Sequence, residues 1–347
     1  MLRMKDVARH AGVSVATVSN VITGKKTVSP IVTQKVLAAI DDLNYQVNLV
    51  ARGLKTQRTY TLGVVLPDVT KLFFMDVIRG IMDVAYDNGY SVNILSSSYD
   101  YAKERQLINS IRSSRADGII LDSCVSLRHS EAWVDELICD PSIPPIVALE
   151  SKLSIDKVTS VLVENKLYSG KITQHLIDIG ARRIFFISGP RHLEHEYERL
   201  QGYRSTLKKN RIPLIKELES GGDYLSGTGY QTVRKALDEG IEFDAVQASN
   251  DQAAIGALKA LHERNIDVPG RVAISGFDNL FASTLVSPAI TTVSVPRYEL
   301  GCVAVQELLR LIDDKNASPV CHILPANLII RSSSSKDAED EWNLENW

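Results

Sequence analysis

The chain has 347 residues, of which 44% are hydrophobic and 23% are charged. This length predicts two or three domains, and the composition is typical of soluble globular proteins. No long apolar run and no secretory signal is found, which excludes a membrane span and predicts a cytoplasmic protein. The four cysteines are scattered along the chain, which argues against a disulfide framework or a zinc site, so no metal and no cofactor is expected.

The net charge of −3 is unevenly distributed along the chain. Residues 1–58 contain nine Lys or Arg and three acidic side chains, whereas the remainder contains thirty basic and thirty-nine acidic ones. A basic N-terminal segment joined to an acidic body is typical of a nucleic-acid-binding protein that has a separate regulatory domain.

The first predicted elements are two short helices joined by a glycine. Val7 and Ala11 lie one turn apart on an apolar face, and Gly12 then ends the helix by allowing a left-handed turn. Ser14 is the expected N-cap of a second helix over residues 15–22. The spacing predicts a helix-turn-helix, although an amphipathic hairpin in another α domain would have the same pattern.

The outward face of the second helix carries small apolar and hydroxyl side chains, which suit the major groove of DNA. Val15 and Ala16 can touch thymine methyl groups, and Asn20 can make a paired contact to adenine. Phosphate contacts, which set the register without reading the sequence, are expected from Thr17, Ser19, Lys25 and Lys26.

A third predicted helix closes this unit. Ser29 is its expected N-cap, Pro30 its first residue and Tyr45 its end. Residues 48–59 follow, with Asn48 as the cap of about two turns of helix, a length that is marginal alone in water and needs a partner chain or DNA. The apolar face of the third helix consists of Val32, Val36, Ala39, Ile40 and Leu43.

The run from Met4 to Thr56 closely resembles the DNA-binding headpiece and hinge helix of the LacI/GalR family of bacterial transcriptional regulators. The motifs DVA, AGVS, TVS, LNY and ARGL occur in the family's order and spacing. The resemblance implies that hinge helices pair across a dimer and insert a leucine, here Leu54 with Lys55 beside it, into the minor groove at the operator centre. Such a wedge unstacks one base step and bends the DNA toward more protein surface.

One residue of the second helix departs from the family pattern. Asn20 stands where a basic residue is commoner, so the base that it reads is left open. The residues predicted to contact DNA are Ser14, Val15, Ala16, Thr17, Ser19, Asn20, Lys25, Ser29, Tyr45, Asn48, Leu54 and Lys55.

After residue 60 the sequence alternates short apolar strands with amphipathic stretches. This alternation predicts βαβ units, parallel sheets with helices on both faces and, at this length, two similar lobes. Ligands in such sheets bind beyond the carboxyl ends of the strands. The predicted strands span 61–68, 91–97, 117–123, 145–151, 183–189, 243–251 and 272–279.

The LacI/GalR resemblance continues to about residue 331, through the motifs ADGIIL, SNDQAAIGAL, VAISGFDN and PAITTVSVP. It implies a two-lobed fold like that of periplasmic sugar-binding proteins, with strands crossing between the lobes near 160, 290 and 322. The effector would lie in the cleft between the lobes. The resemblance matches Arg199 to the family's effector-contacting arginine and Asp251 to its hydroxyl-binding aspartate. The predicted effector site comprises Phe73, Phe74, Glu150, His195, Arg199, Tyr224, Asn250, Asp251 and Asp278.

The chemistry of these side chains suits a ring that bears several hydroxyls. Arg199 offers a fork of donors, Asp251 offers an acceptor, and an aromatic side chain can cover the apolar face of the ring. A further carboxylate at Glu150 adds acceptors and disfavours a phosphorylated ligand. The expected effector is therefore a neutral sugar or glycoside, and a nucleobase or nucleoside is the alternative.

No sequence pattern indicates catalysis. The chain lacks G-x-S-x-G, GxxxxGK and H-E-x-x-H, so no catalytic residue is assigned. His192 and His195 have a metal-like spacing with nearby glutamates, but a polar loop near the cleft explains them better. The C-terminal serines and acidic residues lack leucine heptads and predict a disordered tail, whose tryptophans would alternatively dock on a partner.

The sequence therefore predicts a DNA-binding repressor. It would bind a near-palindromic operator in double-stranded DNA as a homodimer, under the control of a small-molecule effector and without contact with a membrane. The alternatives are regulation by a protein partner and a cytoplasmic sugar-binding protein with an incidental basic segment. The predicted divisions are a headpiece at 1–47, a hinge helix at 48–59, a two-lobed domain at 60–331 and an acidic tail at 332–347.

Overall fold

The chain divides into two units, Met1–Thr59 and Tyr60–Trp347. The computed structural model describes residues 2–23, 26–45, 58–124, 136–137, 140–153, 157–314, 316–338 and 340. Four predicted DNA contacts and the end of the tail lie outside these ranges, namely Lys25, Asn48, Leu54, Lys55 and residues 341–347.

The N-terminal unit is a three-helix helix-turn-helix. Gly12 adopts φ +64° between the first two helices, and the backbone N–H of Thr17 donates to Ser14 Oγ at 3.1 Å, which confirms the predicted turn and N-cap. Val18 and Val36 are fully buried between the helices. The helices are α1 (Met4–Ala11), α2 (Val15–Thr23) and α3 (Pro30–Asp42).

The second unit is an α/β structure, as the alternating sequence pattern predicts. Each of the seven predicted strand segments contains one of its strands, and helices follow most of them. The strands are β1 (Thr61–Leu66), β2 (Ser91–Ser96), β3 (Gly118–Leu121), β4 (Ile146–Leu149), β5 (Thr159–Val163), β6 (Ile184–Ile187), β7 (Glu219–Ser220), β8 (Ala245–Ala248), β9 (Ala273–Ser275), β10 (Thr292–Ser294), β11 (Cys321–Leu324) and β12 (Asn327–Ile329). The helices are α4 (Phe73–Asp87), α5 (Tyr101–Ser113), α6 (Asn165–Asp178), α7 (Glu194–Lys209), α8 (Ser226–Asp238), α9 (Asp251–Glu263), α10 (Ala282–Leu285) and α11 (Arg297–Asp313).

Two parallel sheets define the two lobes of this unit. Within the described ranges, the first has the strand order β11-β5-β4-β3-β1-β2 and the second β7-β6-β8-β9. Strands β10 and β12 pair antiparallel as a separate ribbon. The chain passes from one lobe to the other after β5, after β9 and after β11, and these three passages place the carboxyl ends of both sheets on the same cleft.

Glycines allow the helices that cover the second sheet to pack closely. A Cβ atom at Gly256 of α9 would collide with the carbonyl oxygen of Ser226, and one at Gly229 of α8 would collide with that of Ala253. Helix backbones can approach this closely only where no side chain intervenes.

The serines that follow residue 331 belong to the folded lobe rather than to a disordered tail. Ser333 and Ser334 are buried, and Ser333 Oγ donates to the carbonyl oxygen of Ile274 in β9 at 2.7 Å. The backbone N–H of Thr291 donates to Ser333 Oγ at 2.8 Å. The predicted start of the tail at 332 is therefore too early, because these hydroxyls complete hydrogen bonds at the edge of the sheet.

No helix in the part of the chain that the structure describes is long and apolar enough to cross a membrane.

The packing of α8 on α9 gives a test with an internal control. Gly256→Ala should lower the unfolding free energy of the second unit by roughly 1–3 kcal/mol, because the new methyl group overpacks the helix contact. Gly227→Ala lies in the same helix pair but meets no atom within 4 Å, so it should leave stability unchanged or raise it slightly. Thermal unfolding followed by circular dichroism measures both, and equal melting temperatures would contradict the close approach.

Candidate functional site

Helix α2 presents its N-terminal residues outward. Val15 is 46% exposed and Ala16 is exposed, whereas Thr17 and Asn20 are half-buried. The hydroxyl of Thr17 lies 2.9 Å from Ser14 Oγ, so it already has a partner before any phosphate is present. Two small apolar side chains at the exposed start of the second helix suit contact with base edges in a major groove.

The other predicted DNA contacts of the headpiece differ in how exposed they are. Ser29 occupies the N-cap position of α3 and is exposed, but its hydroxyl makes no capping hydrogen bond. Tyr45 is half-buried and packs against the headpiece core, and Ser19 is half-buried. Tyr45 therefore contributes to the packing of α3, and Ser29 remains accessible.

The second unit contains a cavity between its lobes, with an open volume of about 50 Å³. Its walls are formed by residues that follow the strands of both sheets and by the first turn of α4. Eight of the nine predicted effector residues line it, namely Phe73, Phe74, Glu150, His195, Arg199, Tyr224, Asn250 and Asp278. The structure brings these residues together from segments far apart in the sequence.

Arg199 organises the wall contributed by the second sheet. Its guanidinium donates to Asn165 Oδ1 at 2.8 Å, to the carbonyl oxygen of Ser249 at 2.6 Å and to Asp278 Oδ1 at 3.5 Å. It also lies 3.8 Å from the ring centroid of Phe277. Because the side chain is only 4% exposed, these contacts hold its planar group in one orientation toward the cavity.

Burial and the charge of Arg199 shift the pKa values of two neighbouring side chains, Asp278 and His195. Burial raises the pKa of Asp278 to about 6, and the guanidinium opposes that rise. Burial and the adjacent guanidinium lower the pKa of His195 to about 3. His195 is therefore neutral, with Nε2 2.7 Å from the Tyr224 hydroxyl. A neutral imidazole can offer a donor or an acceptor to a ligand, depending on its tautomer.

Asn250 lines the cavity while it caps the helix behind it. Its Oδ1 accepts from the backbone N–H of Ala253 at 2.9 Å, and its Nδ2 donates to the carbonyl oxygen of Tyr224 at 3.1 Å. This side chain therefore fixes the start of α9 and the position of Tyr224 within the cavity wall.

The structure does not bring Asp251 into the cavity, which corrects the role that the sequence predicted. Its side chain is fully buried; Oδ1 accepts from the Thr292 hydroxyl and Oδ2 from the backbone N–H of Leu280, both at 2.6 Å. Both oxygens are thus used to join α9 to the segments after β9. The aspartate that faces the cavity beside Arg199 is Asp278.

The wall contributed by the first sheet is acidic. Glu150 follows β4 with φ +53° and is 5% exposed, and Asp122 follows the adjacent strand β3 and is 3% exposed. Burial raises the pKa of Glu150 to about 7, although Arg199 opposes the rise, and burial together with the charge of Glu150 raises the pKa of Asp122 well above its usual value. A carboxyl in such surroundings favours a proton or an incoming cation.

Sequence reasoning missed several residues of the cavity. Asp122 could have been predicted from its position, because it follows β3 just as Glu150 follows β4. Lys71 lies in an irregular segment whose sequence does not indicate a binding site. The lining residues outside the predicted set are Pro67, Lys71, Tyr99, Asp122, Leu193 and Gln252. Among the residues that the structure describes, no three His, Cys, Asp or Glu side chains are grouped as metal ligands.

The raised pKa of Glu150 gives a pH-dependent prediction. Between its usual pKa of 4.5 and about 7, the folded protein holds the proton of Glu150 more tightly than the unfolded chain does, so this group's contribution to stability is lost as pH rises through that window. The unfolding free energy of Glu150→Gln minus that of the wild type should therefore increase by up to about 3 kcal/mol between pH 5 and pH 8.

Urea unfolding at both pH values measures this difference. Glu217→Gln, which replaces an exposed glutamate of the same unit, is the matched control and should track the wild type at each pH. A Glu150→Gln advantage of equal size at pH 5 and pH 8 would show that the carboxyl is not destabilised by burial.

Comparison with known proteins identifies the family. Residues 3–48 match the model of bacterial regulatory proteins of the lacI family, and residues 173–334 match the periplasmic binding protein-like domain. The chain is 34% identical to catabolite control protein A of Priestia megaterium over 95% of this chain and 98% of that protein. It is 32% identical to the ribose operon repressor of Escherichia coli strain K12, over 90% of this chain and 93% of that protein.

A solved structure supports the same assignment. The crystal structure of the lac repressor dimer bound to operator and the anti-inducer ONPF matches with a TM-score of 0.83 and 27% identity, covering 96% of this chain and 99% of that chain. These relatives confirm the resemblance seen in the sequence. The chain belongs to the LacI family of bacterial regulatory proteins and is a DNA-binding transcriptional repressor.

Proposed function

We propose that this repressor acts as a homodimer whose affinity for its operator is controlled by a sugar or glycoside bound between the lobes of the second unit. The observation that carries the proposal is the interlobe cavity, in which Arg199 and Asp278 of one lobe face Glu150 of the other, beside Phe73 and Phe74. Such a combination of forked donors, carboxylate acceptors and aromatic rings suits a polyhydroxylated ring without a phosphate.

Ligand binding at this position acts on the relative placement of the lobes. The cavity of about 50 Å³ is smaller than a typical ligand pocket of roughly 300 Å³ or more, so the lobes separate to admit a ring. A ligand that contacts both walls then favours one interlobe arrangement over others, and this differential affinity is the source of the regulatory free energy.

The names of the relatives support both halves of the proposal. A ribose operon repressor supports control by a sugar, and a lac repressor that binds its operator as a dimer supports a dimeric form of this chain. A dimer places two headpieces on two half-sites and so doubles the base contacts available for specificity.

The headpiece proposal is tested at Asn20. After an operator has been selected from a randomised DNA library with the full chain, Asn20→Ala should weaken operator binding by roughly 10- to 100-fold, because one paired base contact is lost. Binding to unrelated DNA should change little, since phosphate contacts supply it. Asn316→Ala, at an exposed residue of the second unit, is the control. Fluorescence anisotropy measures both affinities, and unchanged operator binding by the Asn20 variant would remove Asn20 from base recognition.

The effector proposal is tested at Phe73. Calorimetric titration with sugars, glycosides, amino sugars and nucleobases should yield a ligand whose affinity falls at least about 10-fold in Phe73→Ala, because an aromatic cover of the ring is lost. Tyr86→Ala removes an 82% exposed aromatic ring from the same helix and should bind normally. A ligand that binds both variants equally well would lie outside the interlobe cavity.

A further inference from the structure

Three buried carboxyl oxygens of the interlobe cavity complete no hydrogen bond of normal geometry with the described residues. They are both oxygens of Glu150 and Oδ1 of Asp122, whose side chains are at least nine-tenths buried and line the cavity. Asn165 and Arg199 lower the pKa of Glu150 but do not offset its burial. Burial of a carboxylate whose hydrogen bonds and charge are incompletely compensated is costly. A ligand that supplies donors and positive charge at this wall would remove that cost.

The cations of the cavity are already engaged elsewhere. Lys71 Nζ donates to the carbonyl oxygen of Asp223 at 3.3 Å and lies 3.9 Å from Asp68 Oδ2. Arg199 is held by Asn165, Ser249 and Asp278, as described above, and fully buried Glu196 lies 3.6 Å from its Nη1. Three carboxyl groups and two cations line the cavity, and Glu196 lies behind it against Arg199. The raised pKa values of Glu150 and Asp122 favour their protonated forms, and a cation placed between these two groups would favour their ionised forms.

The main chain holds both carboxylates at fixed positions on neighbouring strands. Leu121 of β3 pairs with Ala148 of β4 in parallel register, so the two acids follow the carboxyl ends of adjacent strands. The backbone N–H of Asp122 donates to Val65 at 2.9 Å, and that of Glu150 donates to Val161 at 3.0 Å. Glu150 is kept in the left-handed region, which costs a non-glycine residue of order 1 kcal/mol or more and recurs at ligand sites.

Charge and hydrogen-bond capacity then select the ligand class. A phosphate or carboxylate ligand would place negative charge beside two buried carboxyl groups, and a neutral hydroxyl donates one hydrogen bond without stabilising their ionised forms. A protonated amine supplies both positive charge and three donors, and Tyr99 adds an aromatic side chain to the lining of the same cavity.

We propose that the effector is an amino sugar, a hydroxylated ring whose ammonium group binds between Asp122 and Glu150. This inference rests on the proposed sugar effector and replaces the neutral sugar that the sequence alone favoured. The hydroxyls of the ring face Arg199 and Asp278, and the ammonium completes the acidic wall of the other lobe.

The experiment is calorimetric titration of the full chain with matched sets of sugars. Glucosamine, galactosamine and mannosamine are each compared with the parent hexose and the N-acetyl derivative. At least one amine should bind 10-fold or more tighter than its parent hexose. Acetylation should abolish the advantage because it removes the charge. Glu150→Gln and Asp122→Asn should reduce the ratio of amine to hexose affinity toward one, and the surface control Glu217→Gln should preserve it.

The outcomes separate this inference from the broader proposal. Hexoses that bind as tightly as their amines would overturn the amino-sugar inference and keep the sugar effector. Absence of binding in every set would also overturn the amino-sugar inference, and the broader proposal is then decided by the titration with other sugars and glycosides. Circular dichroism establishes that each variant is folded, and a folded Glu150→Gln, Asp122→Asn double variant that keeps the full preference for the amine would also overturn the assignment of the ammonium site.

Discussion

The interlobe cavity depends on the burial of one guanidinium. Arg199 joins the start of α6, the end of β8 and the segment after β9 through three hydrogen bonds and stacks on Phe277. Loss of the guanidinium would leave Glu196 and Asp278 buried without their cation, an arrangement that costs several kcal/mol. The same group that faces a ligand therefore also holds one lobe together, and substitutions at this position disturb folding and recognition at once.

The two walls of the cavity differ in how fully their polar groups are satisfied. On the Arg199 side the guanidinium, the amide of Asn250 and the imidazole of His195 all have protein partners. On the opposite side neither oxygen of Glu150 completes a hydrogen bond of normal geometry with the described residues. A preorganised wall loses little conformational entropy when a ligand binds. A wall with unsatisfied polar groups is stabilised more by the hydrogen bonds that the ligand supplies. This difference makes ligand occupancy most favourable when both lobes close on the same molecule.

Much of the fold follows from periodicity and composition, but the fine assignment of the site does not. The seven strand segments and the Ser14 cap could be predicted because they depend on neighbours within a few residues. Asp251 and Asp278 both lie at the carboxyl end of a predicted strand segment, and the sequence does not distinguish them. The hydroxyl that takes Asp251 out of the cavity belongs to Thr292, 41 residues along the chain. The sequence places Ser333 in the predicted tail for a similar reason, because its partner Ile274 is 59 residues away.

A partly buried ion pair beside the cavity is hydrogen-bonded to the segment that follows β9. Arg297 of α11 lies 2.7 Å from Asp76 of α4, and its other nitrogen donates to the carbonyl oxygens of Asp278 and Asn279, which follow β9. Asp76 lies one helical turn from Phe73, and Asp278 accepts a hydrogen bond from Arg199. Because Phe73 and Asp278 both line the cavity, the contacts of Arg297 lie beside the cavity at both ends. A rotation of the lobes would change the distances between Arg297 and the two carbonyl oxygens. Because partly buried charge-assisted bonds hold only within a narrow range of distances, these contacts favour discrete lobe arrangements over a continuous range, as a regulatory switch requires.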